Sequence, residues 1–171
     1  DGHVAPVDSK ILVDSCSFRL LTANAIDGTD ARLEVMDCLF EDIQEGVHGS
    51  RSVVIVLDST FRNMVGDKDA IDFDLNGSEV NRIERCLFVN SSDDGIDGGE
   101  TTVEIRDNIF VNMQDKALSL EDDGAFGAST ITGNLLYNNG TAIALKSGGH
   151  VDEGHHNTLV GNQEGVSLYA K

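Results

Sequence analysis

Five aspartates stand at positions 69, 72, 93, 94 and 97, and two of the stretches that carry them are near copies, "DAID" at 69–72 and "DGID" at 94–97. Carboxylates offer hard oxygens. Gathered in numbers they suit a compact divalent cation, Ca²⁺ above all, which takes about six to eight oxygens from Asp side chains and turn carbonyls. Asp74 and Glu121 extend the acidic set. These groups can act together only if the fold brings residues roughly two dozen apart into contact.

The chain repeats on that interval. Phe18, Phe40, Phe61, Phe88, Phe110, Leu136 and Leu159 recur roughly every 24 residues. After each comes a small residue and then an aliphatic one, at Ile26, Val47, Ile71, Ile96, Leu118, Ile143 and Val166. Before each stands a third apolar position, from Val13 and Val35 through Ile131, which Gly154 breaks in the last copy. Short stretches such as "VEIR", "NIFVN" and "ALSLE" alternate apolar with polar and are bounded by Asn, Asp and Gly, the pattern of strands and turns. Three strands per copy leave no room for crossover helices, so each strand must pair with its counterpart in the next copy. The hand favoured for parallel crossovers is right-handed. The expected fold is all-β, a right-handed parallel β-helix solenoid of about seven coils with three short strands per coil, forming one domain over residues 1–171.

Register then places the acidic groups. Equivalent residues of neighbouring coils lie about 4.8 Å apart. With Ile71 and Ile96 pointing inward, Asp72 and Asp97 point outward and stack, in a column with Asp27, His48, Ser119, Ala144 and Ser167. Asp69 aligns with Asp94 in the preceding turn, and Asp93 adjoins it. Like charges at that spacing repel by roughly 3.5 kcal/mol per pair at an effective dielectric near 20. The cluster is therefore expected either to take up protons or to hold a cation, with Asp69, Asp72, Asp93, Asp94 and Asp97 as the candidate Ca²⁺ ligands. The plainer alternative is a solvated acidic face.

Two polar columns read as structural. Cys16, Cys38, Ser59, Cys86, Asn108, Asn134 and Asn157 share one slot suited to an inward turn, and Asp42, Asn63, Asn90, Asn112 and Asn138 share another, where stacked amides can bond along the column. Three cysteines in one slot point to buried free thiols rather than a disulfide framework.

Composition limits the partners. Twelve Lys and Arg against thirty Asp and Glu give a net charge of −18, which argues against nucleic acid and anionic membrane surfaces. No apolar run reaches the length of a membrane span. His150, His155 and His156 fall near a terminal turn without a carboxylate or Cys at ligand spacing. No phosphate-binding loop, dinucleotide fingerprint or nucleophile triad is present. Neither end shows a cap, so the solenoid is expected to be part of a longer protein, or to be covered at its ends by flanking sequence or another chain.

The succession "DKDAIDFD", "SSDDGIDGG", "DKALSLED", "TAIALK", "EGVSLYAK" resembles the repeats of right-handed parallel β-helix proteins of the pectate-lyase-like superfamily, above all β-helix regions of large bacterial surface or secreted proteins. The resemblance spans roughly residues 7–171 and implies an extracellular or cell-surface location. Asp69, Asp93, Asp94 and Asp97 are further similar to the four-aspartate calcium site of family 9 pectate lyases. There the ion binds acidic polysaccharide and a lysine removes a proton, a role for which the resemblance offers Lys116 and Lys146. On the inferred register, Lys116 shares the Asp69 and Asp94 column and offsets the acidic turn, while Lys146 neighbours Glu121 in an outward ladder. The arginines at 82, 85 and 106 lie on another face from the one where a uronate would bind.

Three functions are therefore open: a non-catalytic, Ca²⁺-stabilised module offering a rigid scaffold or a glycan- or partner-binding surface; a calcium-dependent lyase or hydrolase of acidic polysaccharide; and a structural repeat without an ion. With 5% aromatic residues and no Trp, the chain has few platforms for sugar stacking, which favours the first.

Overall fold

A computed structural model of the chain describes residues 9–74, 79–121 and 129–169; positions 1–8, 75–78, 122–128 and 170–171 of the expected domain lie outside the described residues. Its strands form three parallel sheets of seven, and neighbours within a sheet are three elements apart in the chain. This is the expected solenoid. The described residues contain no helix, and so none long and apolar enough to cross a membrane.

Four coils position the acidic groups and the two lysines. The third runs through Val53–Leu57, Thr60–Met64 and Ile71–Asp74. The fourth runs through Val80–Glu84, Leu87–Ser91 and Ile96–Gly99. The fifth runs through Thr102–Arg106, Ile109–Met113 and Lys116–Glu121. The sixth runs through Ser129–Thr132, Leu135–Tyr137 and Thr141–Lys146. In the third sheet Ile71 pairs with Ile96 and Asp72 with Asp97, and the next strand sets Asp97 beside Ser119.

The core is a set of vertical stacks. Phe18, Phe40, Phe61, Phe88 and Phe110 lie ring over ring at 4.5–5.0 Å, with planes within 9° of parallel. Leu136 and Leu159 continue the column. In the second and fourth coils the small residue before the third-sheet aliphatic, Gly46 or Gly95, lies against one of these rings. A Cβ at Gly95 would come within 2.9 Å of the Phe110 ring and 2.7 Å of the Ala117 carbonyl oxygen.

Two columns of turn residues carry the chain between sheets in the left-handed region. One includes Asp58, Arg85 and Asp107, the other Asn63, Asn90 and Asn112, with φ between 51° and 61°. Asn and Asp tolerate this conformation best, which accounts for their density in the sequence. The second column forms the expected amide ladder. Asn138 donates to Asn112 at 2.7 Å, Asn112 to Asn90 at 2.9 Å, Asn90 to Asn63 at 3.2 Å and Asn63 to Asp42 at 3.2 Å.

The inward slot holds the other ladder. Asn134 Oδ1 accepts from the Asn108 backbone N–H at 2.9 Å, and its Nδ2 donates to the Ile105 carbonyl at 3.0 Å. Replacing Asn134 with Ala strands both backbone groups in the core, so unfolding in urea is expected to show a loss of about 2–4 kcal/mol. An unchanged midpoint refutes this account of the ladder. In the same slot Cys38 and Cys86 are buried and free, and burial pushes Cys38 upward and Cys86 to about 12. Cys16 departs from the expected burial. It is exposed, because its coil ends the stack of described residues.

Candidate functional site

Asp69 and Asp94 stand in the turns that lead into the third-sheet strands of the third and fourth coils, where each carboxylate takes a backbone N–H of the coil above. Asp69 Oδ1 accepts from the Asp94 N–H at 3.1 Å, and Asp94 Oδ1 accepts from the Lys116 N–H at 2.8 Å. The slot works like the inward asparagine ladder, but with charged rungs. Asp94 is 2% exposed. Carboxylate oxygens of Asp69, Asp93 and Asp94 all lie within 4.8 Å of one another.

The remaining aspartates sit at the margins of this trio. Asp72 turns toward the second coil, where His48 Nδ1 lies 3.2 Å from Asp72 Oδ2 and 3.0 Å from Glu45 Oε1. Glu45, His48 and Asp72 thus form a second group with ligand atoms within 4.8 Å of one another. Asp97 faces the sixth coil, with its Oδ2 3.6 Å from Lys146 Nζ. The five candidate ligands share one face but divide into a central trio and two flanks.

Electrostatics follow from burial and crowding. Burial, then the charges of Asp94, Asp97, Asp93 and Asp72, lifts the Asp69 carboxyl to about 8. Burial also lifts Asp72 to about 6, tempered by the neighbouring His48, and Asp94 to about 6, tempered by Lys116. Asp93 is raised by burial and by Asp115. The trio therefore favours a bound proton or a bound cation over three bare charges.

Lys116 reaches into the trio's upper edge. Its ammonium bonds Asp94 at 3.2 and 3.4 Å and also bonds Asp115. Burial acts to depress this lysine, but the bonds to Asp115 and Asp94 outweigh it and hold its pKa above the ordinary value. A lysine so placed keeps its proton, the reverse of what a general base requires.

Three participants escaped the sequence reading. Glu45, 2% exposed, occupies the slot below Asp69, and that alignment was the signal for it. His48 was visible in the outward column but not as a bridge between two carboxylates. Ser119, fully buried beside Asp97, is the one buried side chain among the described residues whose polar atom has no hydrogen-bond partner. The remaining histidines among the described residues lie apart, where His150 meets Asp152 at 2.9 Å and His155 meets His156 at 2.7 Å, all exposed.

A family model described as a right-handed beta helix region matches residues 5–164. No curated protein and no solved structure matches the chain.

Proposed function

We propose, from the premise that the chain belongs to the family of right-handed beta helix regions, that it is a non-catalytic extracellular module whose third sheet binds Ca²⁺ and offers a rigid face to an acidic glycan or a protein partner. The observation that carries this reading is the central trio, three carboxylates from two adjacent coils with oxygens within 4.8 Å of one another. The donor set fits a hard cation. Every ligand atom is oxygen, and Asp69 and Asp93 come from successive coils, so one ion would join the third coil to the fourth. An extracellular setting suits the site, since modules there bind Ca²⁺ with affinities near its ambient level, about 10⁻⁴–10⁻³ M. Exposed Leu12, Leu20, Val166 and Leu168 in the terminal coils support covering of the ends by flanking sequence or another chain.

Calorimetric titration with CaCl₂ is expected to show saturable binding that Asp93→Asn weakens at least about tenfold, a loss of roughly 1.4 kcal/mol. Absence of binding heat, together with melting indifferent to chelator, overturns the proposal in favour of a repeat without an ion.

The second reading is a calcium-dependent lyase of acidic polysaccharide, and one observation favours it: Lys146 ends 3.6 Å from Asp97, at the edge of the trio. On that reading pectate, alginate or a glycosaminoglycan gives an unsaturated, ultraviolet-absorbing product that Lys146→Ala abolishes. Lack of product across these polymers excludes it.

A further inference from the structure

We propose that Glu45, His48 and Asp72 form a Zn²⁺ site that ties the second coil to the third, separate in place and in chemistry from the oxygen-only trio. Glu45 and His48 belong to the strand Glu45–Ser50, and Asp72 belongs to its neighbour Ile71–Asp74, where it pairs in register with His48. The imidazole nitrogen sets this group apart. It suits Zn²⁺ and other first-row ions, whereas Ca²⁺ takes oxygen ligands.

One ring nitrogen serves two carboxylates. His48 Nδ1 lies 3.0 Å from Glu45 Oε1 and 3.2 Å from Asp72 Oδ2, yet it carries at most one proton to share between them. Lys68 approaches Glu45 only to 3.9 Å, longer than a direct hydrogen bond, on an exposed side chain. In the same slot of the next two coils, Asp69 and Asp94 each accept a backbone N–H of the coil above. Glu45, one methylene longer, turns its Oε1 to the imidazole instead. Glu45 is 2% exposed, and a carboxylate so buried is costly unless its charge is met. A divalent ion in place of the shared proton meets both carboxylates at once.

The spacing fits that ion. Zn²⁺ binds His nitrogen and carboxylate oxygen at about 2.0–2.2 Å, which sets neighbouring ligand atoms of a tetrahedral site about 3.3–3.5 Å apart. Both Nδ1 distances are within a few tenths of an ångström of this, and the two oxygens lie within 4.8 Å of each other. Rotation of the Asp72 carboxylate closes the remaining edge. His48 and Asp72 are partly exposed, so solvent can deliver the ion and fill its fourth position.

The test is calorimetric titration of the whole chain, without a polyhistidine tag and freed of metal, with ZnCl₂. Saturable binding and a higher melting temperature are expected, and His48→Ala should weaken the tightest site at least about tenfold. Glu45→Gln should do the same while keeping the shape of the buried side chain. Co²⁺ in place of Zn²⁺ should give the visible absorption of four-coordinate nitrogen and oxygen ligation, lost in His48→Ala. Excess CaCl₂ should leave Zn²⁺ affinity in place, as should Asp93→Asn. Those two arms separate this site from the trio, so absence of Ca²⁺ binding leaves the inference standing. Zn²⁺ affinity unchanged in His48→Ala overturns it and places the ion at other histidines, such as the exposed His155 and His156. Displacement of Zn²⁺ by CaCl₂, or its loss in Asp93→Asn, overturns it in favour of the trio. Absence of Zn²⁺ binding leaves His48 as a proton-bearing bridge and overturns it outright.

Discussion

In the presence of chelator the protein melts at a lower temperature at pH 8 than at pH 5, and added Ca²⁺ removes most of the difference. The cause is the central trio together with Asp72 on its flank. Burial and crowding lift Asp69 to about 8, and burial lifts Asp72 and Asp94 to about 6, whereas in the unfolded chain such groups titrate near 4. Between those values the folded state holds protons that the unfolded chain has released, so stability falls as pH rises. Below about pH 4 both states are protonated and the contribution is fully present. For Asp69 the total loss by pH 8 is on the order of 4 kcal/mol, allowing for the solvent that reaches it. Other carboxylates act in the opposite sense. Glu34 is held low by Lys10 and Arg32, and at Glu84 Arg82 and Arg85 outweigh the upward pull of burial. Their contribution is present above the ordinary glutamate range and lost as pH falls below it, which places maximum stability near pH 5. Scanning calorimetry in chelator checks this, and a melting temperature that rises from pH 5 to pH 8 contradicts the assignment of the trio.

Phe88→Ala is expected to be the most damaging single truncation of the core, costing about 4–6 kcal/mol. The ring is 1% exposed and stacks on Phe61 at 4.9 Å and on Phe110 at 4.5 Å. Truncation of a buried Phe costs about 3–5 kcal/mol, and each lost aromatic pair adds about 0.5–1.5 kcal/mol. Phe18→Ala should cost distinctly less, since Phe18 stacks only on Phe40 and lies in a terminal coil. Urea midpoints of the two variants decide the matter. Equal losses would mean that the stack does not carry the middle of the solenoid.

The columns were legible in the sequence because a solenoid converts spacing along the chain into adjacency in space. Once Phe61, Phe88 and Phe110 are seen as one position, the pairing of Ile71 with Ile96 follows, and with it the common face of Asp69, Asp72, Asp93, Asp94 and Asp97. The division of that face was not legible. Register fixes where a residue's backbone lies, but at strand spacing an aspartate can turn to either neighbouring coil, and local partners decide which. Asp72 turns to His48, and Asp97 turns to Lys146 across an intervening strand. The structural duty of Asp69 and Asp94 as caps for backbone N–H groups was hidden for a related reason. It depends on the side-chain rotamer in the turn, which residue type alone does not specify. Ser119 looked like any other small outward residue, because residue type and register do not say that an outward side chain will be wholly buried.

The confinement of strand pairing to successive coils has a mechanical consequence. Tension applied at the two termini must peel a terminal turn from three ladders together, and that release leaves the next interface as it was. Since the turns are of similar length, extension under force would proceed as a train of comparable steps, giving a tether that yields gradually under load.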